Sequence, residues 1–204
     1  MEKSMNSQFA ICEIENKSLS LSMKAHNGMR PQDIAVLLKI LGMPDNWQNK
    51  HLAETLFISN SEISESLNRS IRGKLLSPDK RMVFEKALYE FIVYGLKHVF
   101  PTEPGRLIKG IPTAHSAPVL ADYFVFDNAY VWPDPKGTKT GFAVEPLYPN
   151  QPLAALADKE LYAKLALVDA IRVGRVRERE KAAELLKISF ERENASEYHQ
   201  TQSR

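Results

Sequence analysis

Within Gln48–Leu76 the chain sets out a row of short polar side chains, Ser59, Asn60, Ser61, Ser64, Glu65, Asn68 and Arg69. Their chemistry is directed hydrogen bonding. An arginine matches the O6/N7 edge of guanine, an asparagine the N6/N7 edge of adenine, and a carboxylate accepts from the cytosine amine. Arg69, Asn68 and Glu65 are therefore candidate readers of base edges, with the four slimmer residues beside them. Arg69, Arg72 and Lys74, followed by Lys80 and Arg81, bring positive charge suited to phosphates on the flanks of a groove. Glu62 and Glu65 oppose that attraction, because an acid held near phosphates costs affinity unless it is paired or used for readout.

Other chemistries find little footing. His26, His51, His98, His115 and His199 are scattered without metal-ligand spacing. His115 and Ser116 are a base and a nucleophile by type, but adjacent side chains diverge. No glycine loop for phosphates and no paired-carboxylate motif occurs. The expectation is a protein without catalytic residues, metal or cofactor.

The elements that must position the polar row follow from apolar spacing. Leu52, Ala53 and Leu56 share one face of a short helix; Phe57–Ile58–Ser59 makes a turn with Ile58 inward. Asn60 and Ser61 are candidate caps of a second helix, whose inner face is Ile63, Leu67 and Ile71. Small Ala53 suits two helices that cross steeply. This is the pattern of a helix-turn-helix that docks in a major groove. An ordinary helical hairpin without nucleic acid is the plainer alternative.

Upstream, Pro31 opens a helix with Ile34, Leu37, Leu38 and Leu41 as its stripe, and Gly42 ends it. Trp47 plugs the junction that follows. Downstream, Ser77-Pro78-Asp79 reads as a capped helix start, and Met82–Phe100 as a helix apolar on more than one side, fit for a central position or a dimer seam. Thr102–Leu120 reads as loop, because prolines and glycines interrupt any period. Tyr123–Phe126 and Ala129–Trp132 look like short strands. The turn chemistry of Trp132–Lys139 makes Ala129–Val144 a β-hairpin with Lys136 and Lys139 at a basic tip. That hairpin is either a wing that touches phosphates or a plain structural cover.

Asp158–Ile171 reads as a helix with Leu161, Leu165, Leu167 and Val168 inward, and Gly174 interrupts it. Arg175–Arg192 continues as a charged helix with Val176, Ala183, Leu186 and Phe190 on one side. The basic residues from Arg172 to Lys181, Arg172, Arg175, Arg177, Arg179 and Lys181, are interspersed with Glu178, Glu180 and Glu184. They form either a solvated salt-bridged face or a contact for DNA backbone or an acidic partner.

The segment LAETLFISNSEISESLNRSIRGKLL resembles winged-helix regulators of the multiple-antibiotic-resistance-regulator type. In these an LA-xx-L, a turn carrying I-S, a V/I-S and a GLL recur in this order. The resemblance covers a small part of the chain. The turn position often held by glycine is Phe57, so the turn is built without glycine or Phe57 packs as an extra core residue. WPDPKG, EPLYP and LYAKLALVDAIRVGRVRERE resemble portions of bacterial helix-turn-helix proteins encoded beside nucleotidyltransferase-like proteins. That second likeness implies a regulator or an antitoxin-like partner.

Length and charge set bounds on these readings. The 204 residues can bury a real core, and a net charge of +2 leaves no chain-wide pull toward nucleic acid. Positive charge must therefore be concentrated on one face. The single cysteine, Cys12, excludes an internal disulfide framework. No run reaches membrane-span length, and a reducing cytoplasm is the expected compartment.

The expected architecture is mainly α with a small β-hairpin, a winged helix-turn-helix core plus a C-terminal helical region. It divides into an N-terminal arm (1–27), the DNA-binding core (28–101), a loop and hairpin (102–152), C-terminal helices (153–192) and a disordered tail (193–204). The expected partner is double-stranded DNA, bound by a homodimer acting as a transcriptional regulator. The alternative is an adaptor or antitoxin-like protein that keeps the fold for protein contact.

Overall fold

In the computed structural model, which describes residues 28–44 and 46–201, the chain is mainly helical with one small three-stranded sheet. The expected N-terminal arm lies outside the described residues.

Helix α1, Pro31–Leu41, begins as its proline predicts, with the Asp33 carboxylate accepting from the Arg30 amide at 2.8 Å. Ile34 to Leu38 are all fully buried, so this helix is enclosed rather than one-sided. Helix α2, Asn49–Leu56, buries Leu52, Ala53 and Leu56 as their spacing requires. Phe57 then takes the left-handed conformation itself, at φ 56° and ψ 40°, and remains 48% exposed. The side-chain amide of Asn150 donates to the Phe57 carbonyl at 2.8 Å and braces this turn from outside.

Helix α3, Asn60–Arg72, is capped by Ser59, one residue earlier than Asn60 or Ser61. Its hydroxyl accepts from the Glu62 amide at 3.3 Å. Ile63 and Leu67 pack inward and Ile71 is half-buried.

Ser77-Pro78-Asp79 does not start a helix. Leu76 and Val83 form an antiparallel bridge, and the Ser77 amide donates to the Met82 carbonyl at 2.8 Å, so residues 75–84 make a small β-turn arm. Buried Leu75, Leu76 and Val83 anchor it, while Lys80 at φ 65° breaks any helical path. The Ser77 hydroxyl is engaged by Asp79 and by the amides of Arg81 and Met82. The Ser77 hydroxyl, with the Arg81 amide that also donates to Asp79 at 3.2 Å, holds the Asp79 carboxyl below its ordinary range.

Helix α4 covers 85–99, as Glu85–Glu90, a π-helical turn at Phe91–Gly95, and Leu96–Val99. Leu88, Ile92 and Leu96 are fully buried along one face, whereas Tyr94 and Val99 are exposed.

The Thr102–Leu120 stretch is not a plain loop. It holds strand β1, Leu107–Thr113, a 3-10 turn at Ala114–Ser116 and the short helix α5, Pro118–Ala121. Strands β2, Ala129–Pro133, and β3, Lys139–Ala143, do not pair as a hairpin. They run parallel, Ala129 beside Gly141, and each pairs antiparallel with β1 to close a three-stranded barrel. Tyr123–Phe126 is not a strand. The closure depends on glycine: a Cβ on Gly137 would sit 2.2 Å from the Gly110 carbonyl carbon, and one on Gly110 2.0 Å from the Trp132 oxygen. The turn after β2 therefore lies directly over β1, and the chain re-enters the sheet on the far side of it.

Helix α6, Gln151–Ala157, leads into α7, Lys159–Val173, whose N-terminus is capped by Asp158 through the amides of Glu160 and Leu161, both at 3.0 Å. Burial raises the Asp158 carboxyl, but Lys39 at 2.7 Å and the two amides together hold it below its ordinary value. Leu161, Leu165, Leu167 and Val168 are buried as expected.

After Gly174, α8, Val176–Thr201, carries Ala182, Leu186 and Phe190 into the core, while Ala183 is half-buried and Val176 is exposed. The helix extends through most of the tail expected to be disordered, since no glycine or proline follows Gly174 to stop it.

Buried side chains from α1 to α4, the strands and α6 to α8 form one continuous core. At its centre Asp169 accepts from Thr113 Oγ1 at 2.9 Å, Trp132 Nε1 at 2.5 Å and Arg172 at 2.9 Å. Arg172 also donates to the carbonyls of Glu145 at 3.0 Å and Phe100 at 3.4 Å. One buried pair thus ties α7 to the barrel and to the end of α4.

Candidate nucleic-acid interface

The outward face of α3 follows from which of its residues the core takes. Ile63, Ser66, Leu67, Arg69 and Ser70 are buried, which leaves Ser61, Glu65, Asn68 and Arg72 on a stripe at helical spacing. Ser61, Glu65 and Arg72 are exposed and Asn68 is half-buried. Asn60 is exposed at the first turn. Ser59 is also exposed, though its hydroxyl is engaged in the cap and lies 3.2 Å from Ser61 Oγ. Ser64 is partly committed: it donates to the Asn60 carbonyl and accepts from Asn49 of α2, both at 3.1 Å.

Arg69 is not on this face, and its expected contact with guanine is corrected. Its side chain is 4% exposed and makes a two-point pair with Asp33, Nε to Oδ2 at 2.9 Å and NH2 to Oδ1 at 2.7 Å. NH2 also donates to Glu62 at 2.7 Å. The Asp33 hydrogen bond, with Glu62 adding to it and burial opposing, raises the Arg69 pKa, so the guanidinium stays charged.

Glu62 is accounted for by the same cluster. It accepts from Gln32 at 2.6 Å and lies 3.4 Å from Arg30. One of the two acids expected to repel phosphate is thus neutralised internally, and Glu65 remains outward. The sequence signal for this pair was an aspartate directly before the apolar run Ile34–Leu38, which requires a cation once buried.

Beside the stripe, Arg72 and Lys74 are exposed, and Lys74 stands at φ 57° where α3 ends. The 75–84 arm adds Lys80 and Arg81. Arg81 stacks 5.4 Å from the Trp47 ring and donates to the Trp47 carbonyl at 2.9 Å, which fixes the arm to the junction before α2.

Lys136 and Lys139 are exposed but belong to the barrel, in the turn after β2 and at the start of β3, not to a hairpin tip. Arg172 is buried and is corrected as a contact for DNA or a partner. The later charges of α8 include the exposed pairs Lys181–Glu184 at 3.0 Å and Lys187–Glu191 at 4.0 Å.

His115 is buried between Phe126 and Tyr130, with Nε2 3.1 Å from the Asn128 carbonyl. Ser116 Oγ accepts from the Tyr130 amide at 2.8 Å, so both side chains hold the 3-10 turn against β2. Among the described residues no cluster of His, Cys, Asp and Glu has metal-binding geometry, and no helix is long and apolar enough to cross a membrane.

No family model matches this chain, and neither a curated protein nor a solved structure does. The functional reading therefore rests on the stripe of α3 and the cations beside it.

Proposed function

We propose that the protein is a sequence-specific regulator that binds duplex DNA in the cytoplasm through a winged helix-turn-helix. Helix α3 is its reading helix and the 75–84 arm its wing. The observation that carries this is the slim outward stripe of Ser61, Glu65, Asn68 and Arg72, beside a second acid already paired inside the protein. Asn68 reads a base edge, Glu65 serves as an acceptor, and Arg72 with Lys74 takes phosphates. A single reading helix covers few base pairs, so the acting species is a homodimer, with the exposed Tyr94 and Val99 of α4 as candidate seam residues.

Replacement of Arg72 and Lys74 by glutamine is expected to reduce the slope of log affinity against log salt by about 2, one phosphate contact each. A gel-shift series on the protein's own promoter checks this, with an unrelated duplex as reference. An unchanged slope would remove these residues from the interface.

A protein-interaction role is the second reading. Phe57, Leu153 and Leu156 are 48%, 50% and 62% exposed, and Asn150, at the entry to α6, bonds to Phe57. An adaptor of this kind co-purifies with a partner and shows no promoter preference.

A further inference from the structure

His115 sits in a site shaped for a charged ring. The residue is 5% exposed on the 3-10 turn Ala114–Ser116, and both of its ring nitrogens face acceptors. Nε2 lies 3.1 Å from the Asn128 carbonyl, and Nδ1 lies 3.7 Å from Glu178 Oε2 in the first turn of α8. A carbonyl oxygen only accepts, so Nε2 carries the proton of the neutral ring. Nδ1 then turns a bare lone pair toward a carboxylate, and it has no hydrogen-bond partner among the described residues. A neutral imidazole has one N–H and an imidazolium has two. Only the charged ring satisfies both acceptors.

The surroundings hold the two groups in place. Ala114, which opens the turn, stands at φ 50°, a strained conformation for alanine. Phe126 and Tyr130 enclose the imidazole, with ring centroids at 4.8 Å and 4.4 Å. Glu178 Oε2 accepts from the Arg175 amide at 2.9 Å, which fixes the carboxylate at the corner between α7 and α8.

The other ionisable groups around the turn are engaged or exposed. From β2 comes Tyr130, whose phenol is pushed up by burial first, with Glu178 adding and Arg175 opposing. From α7, Asp169 and Arg172 pair with each other, Tyr162 donates to the Pro112 carbonyl at 2.6 Å, and buried Lys164 is engaged. Helix α5 supplies none, and Asp122 and Asp127 in the loop after it are exposed. On α8, Arg175 is exposed and Lys181 lies 4.6 Å over the Tyr123 ring.

We propose that His115 and Glu178 form a proton-operated latch, in which a proton taken up by the imidazole fastens the first turn of α8 to the 3-10 turn and its loss releases them. The sign follows from the charges. Carboxylates ordinarily stay ionised where histidine changes charge, between pH 5 and pH 8. The contact therefore adds stability at the acid end of that range and loses it as pH rises. Because Lys181 reaches Tyr123 from the next turn, an open latch loosens the start of α8 and the loop between α5 and β2 together. The latch does not depend on what the outward face of α3 binds.

The test is urea unfolding of full-length wild type, E178Q, H115F and the double variant at pH 5.5 and pH 8, with hydrogen exchange at the amides of 177–182. E178Q keeps an oxygen for the Arg175 amide and removes only the charge. Its folding equilibrium constant is expected to lie about tenfold below wild type at pH 5.5 and within about twofold at pH 8. Exchange in 177–182 should quicken relative to wild type at pH 5.5 alone. In the H115F background E178Q should have the same small effect at both pH values. Asp169 is common to wild type and E178Q, so its own pH dependence cancels from the comparison.

Ring-nitrogen NMR of wild type gives a second reading that needs no variant to fold: a proton on Nε2 alone at pH 8 and on both nitrogens at pH 5.5. An E178Q effect equal at the two pH values, or one that survives unchanged in H115F, overturns the latch. So does an imidazole that is still neutral at pH 5.5.

Discussion

Arg69→Ala is expected to destabilise the protein by about 3 to 5 kcal/mol, because it strands a buried carboxylate. Asp33 is fully buried and, among the described residues, would retain only the Arg30 amide as a donor. A fall in melting temperature on the order of 10 °C should accompany the loss. Combined replacement, Asp33→Leu with Arg69→Met, should recover most of it, since it leaves neither a buried carboxylate nor a buried guanidinium without its partner, and Glu62 keeps Gln32 and Arg30. Thermal or urea unfolding of the two variants checks the pair. An exposed base-reading arginine would behave differently: its alanine variant would keep stability within about 0.5 kcal/mol and lose only DNA affinity. Arg69→Ala also releases Glu62 from its 2.7 Å partner, so the stable fraction should bind DNA more weakly as well.

Arg172→Ala should cost a comparable amount, about 3 to 5 kcal/mol, and should change how stability depends on pH. Asp169 is wholly buried, and that burial holds its carboxyl above the ordinary value of 3.8, with Arg172, Trp132 and Thr113 pulling the other way. A carboxyl raised in the folded state keeps its proton where the unfolded chain has lost it. Stability therefore declines as pH rises from about 4 toward the folded value and levels off beyond it. Without Arg172 the main counter-pull is gone, so the decline should be deeper and should continue to higher pH. Asp169→Asn should abolish it. Urea unfolding between pH 4 and pH 8 decides the matter; identical profiles for wild type and Arg172→Ala would show that the guanidinium does not act on Asp169.

How much of this was legible depends on whether the deciding contact was local. The stripes Leu52, Ala53, Leu56 and Ile63, Leu67 lie within single helices, and spacing alone placed them. Glu65 and Asn68 were placed on the outward side for the same reason. Arg69 went wrong because its side chain is long and its partner is 36 residues away on α1. Ser77-Pro78-Asp79 has the chemistry of both a helix cap and a tight turn, and the choice fell to Leu75, Leu76 and Val83, which anchor the arm in the core.

The barrel was the least legible element. Trp132–Lys139 was recognised as a turn, but a turn between strands implies a hairpin unless a third strand intervenes. Strand β1 is that strand, hidden by Gly110 and Pro112 within what reads as loop. Glycine there signals close backbone approach, and nothing local says which backbone approaches.

The central claim is that α3 reads DNA sequence, and selection of bound duplexes from a random pool by the full-length protein tests it most directly. The expected result is enrichment of one motif as two related half-sites about 10 base pairs apart, bound at least about a thousand-fold more tightly than unrelated DNA. A pool that stays random after selection, with equal affinity for every duplex, would contradict it.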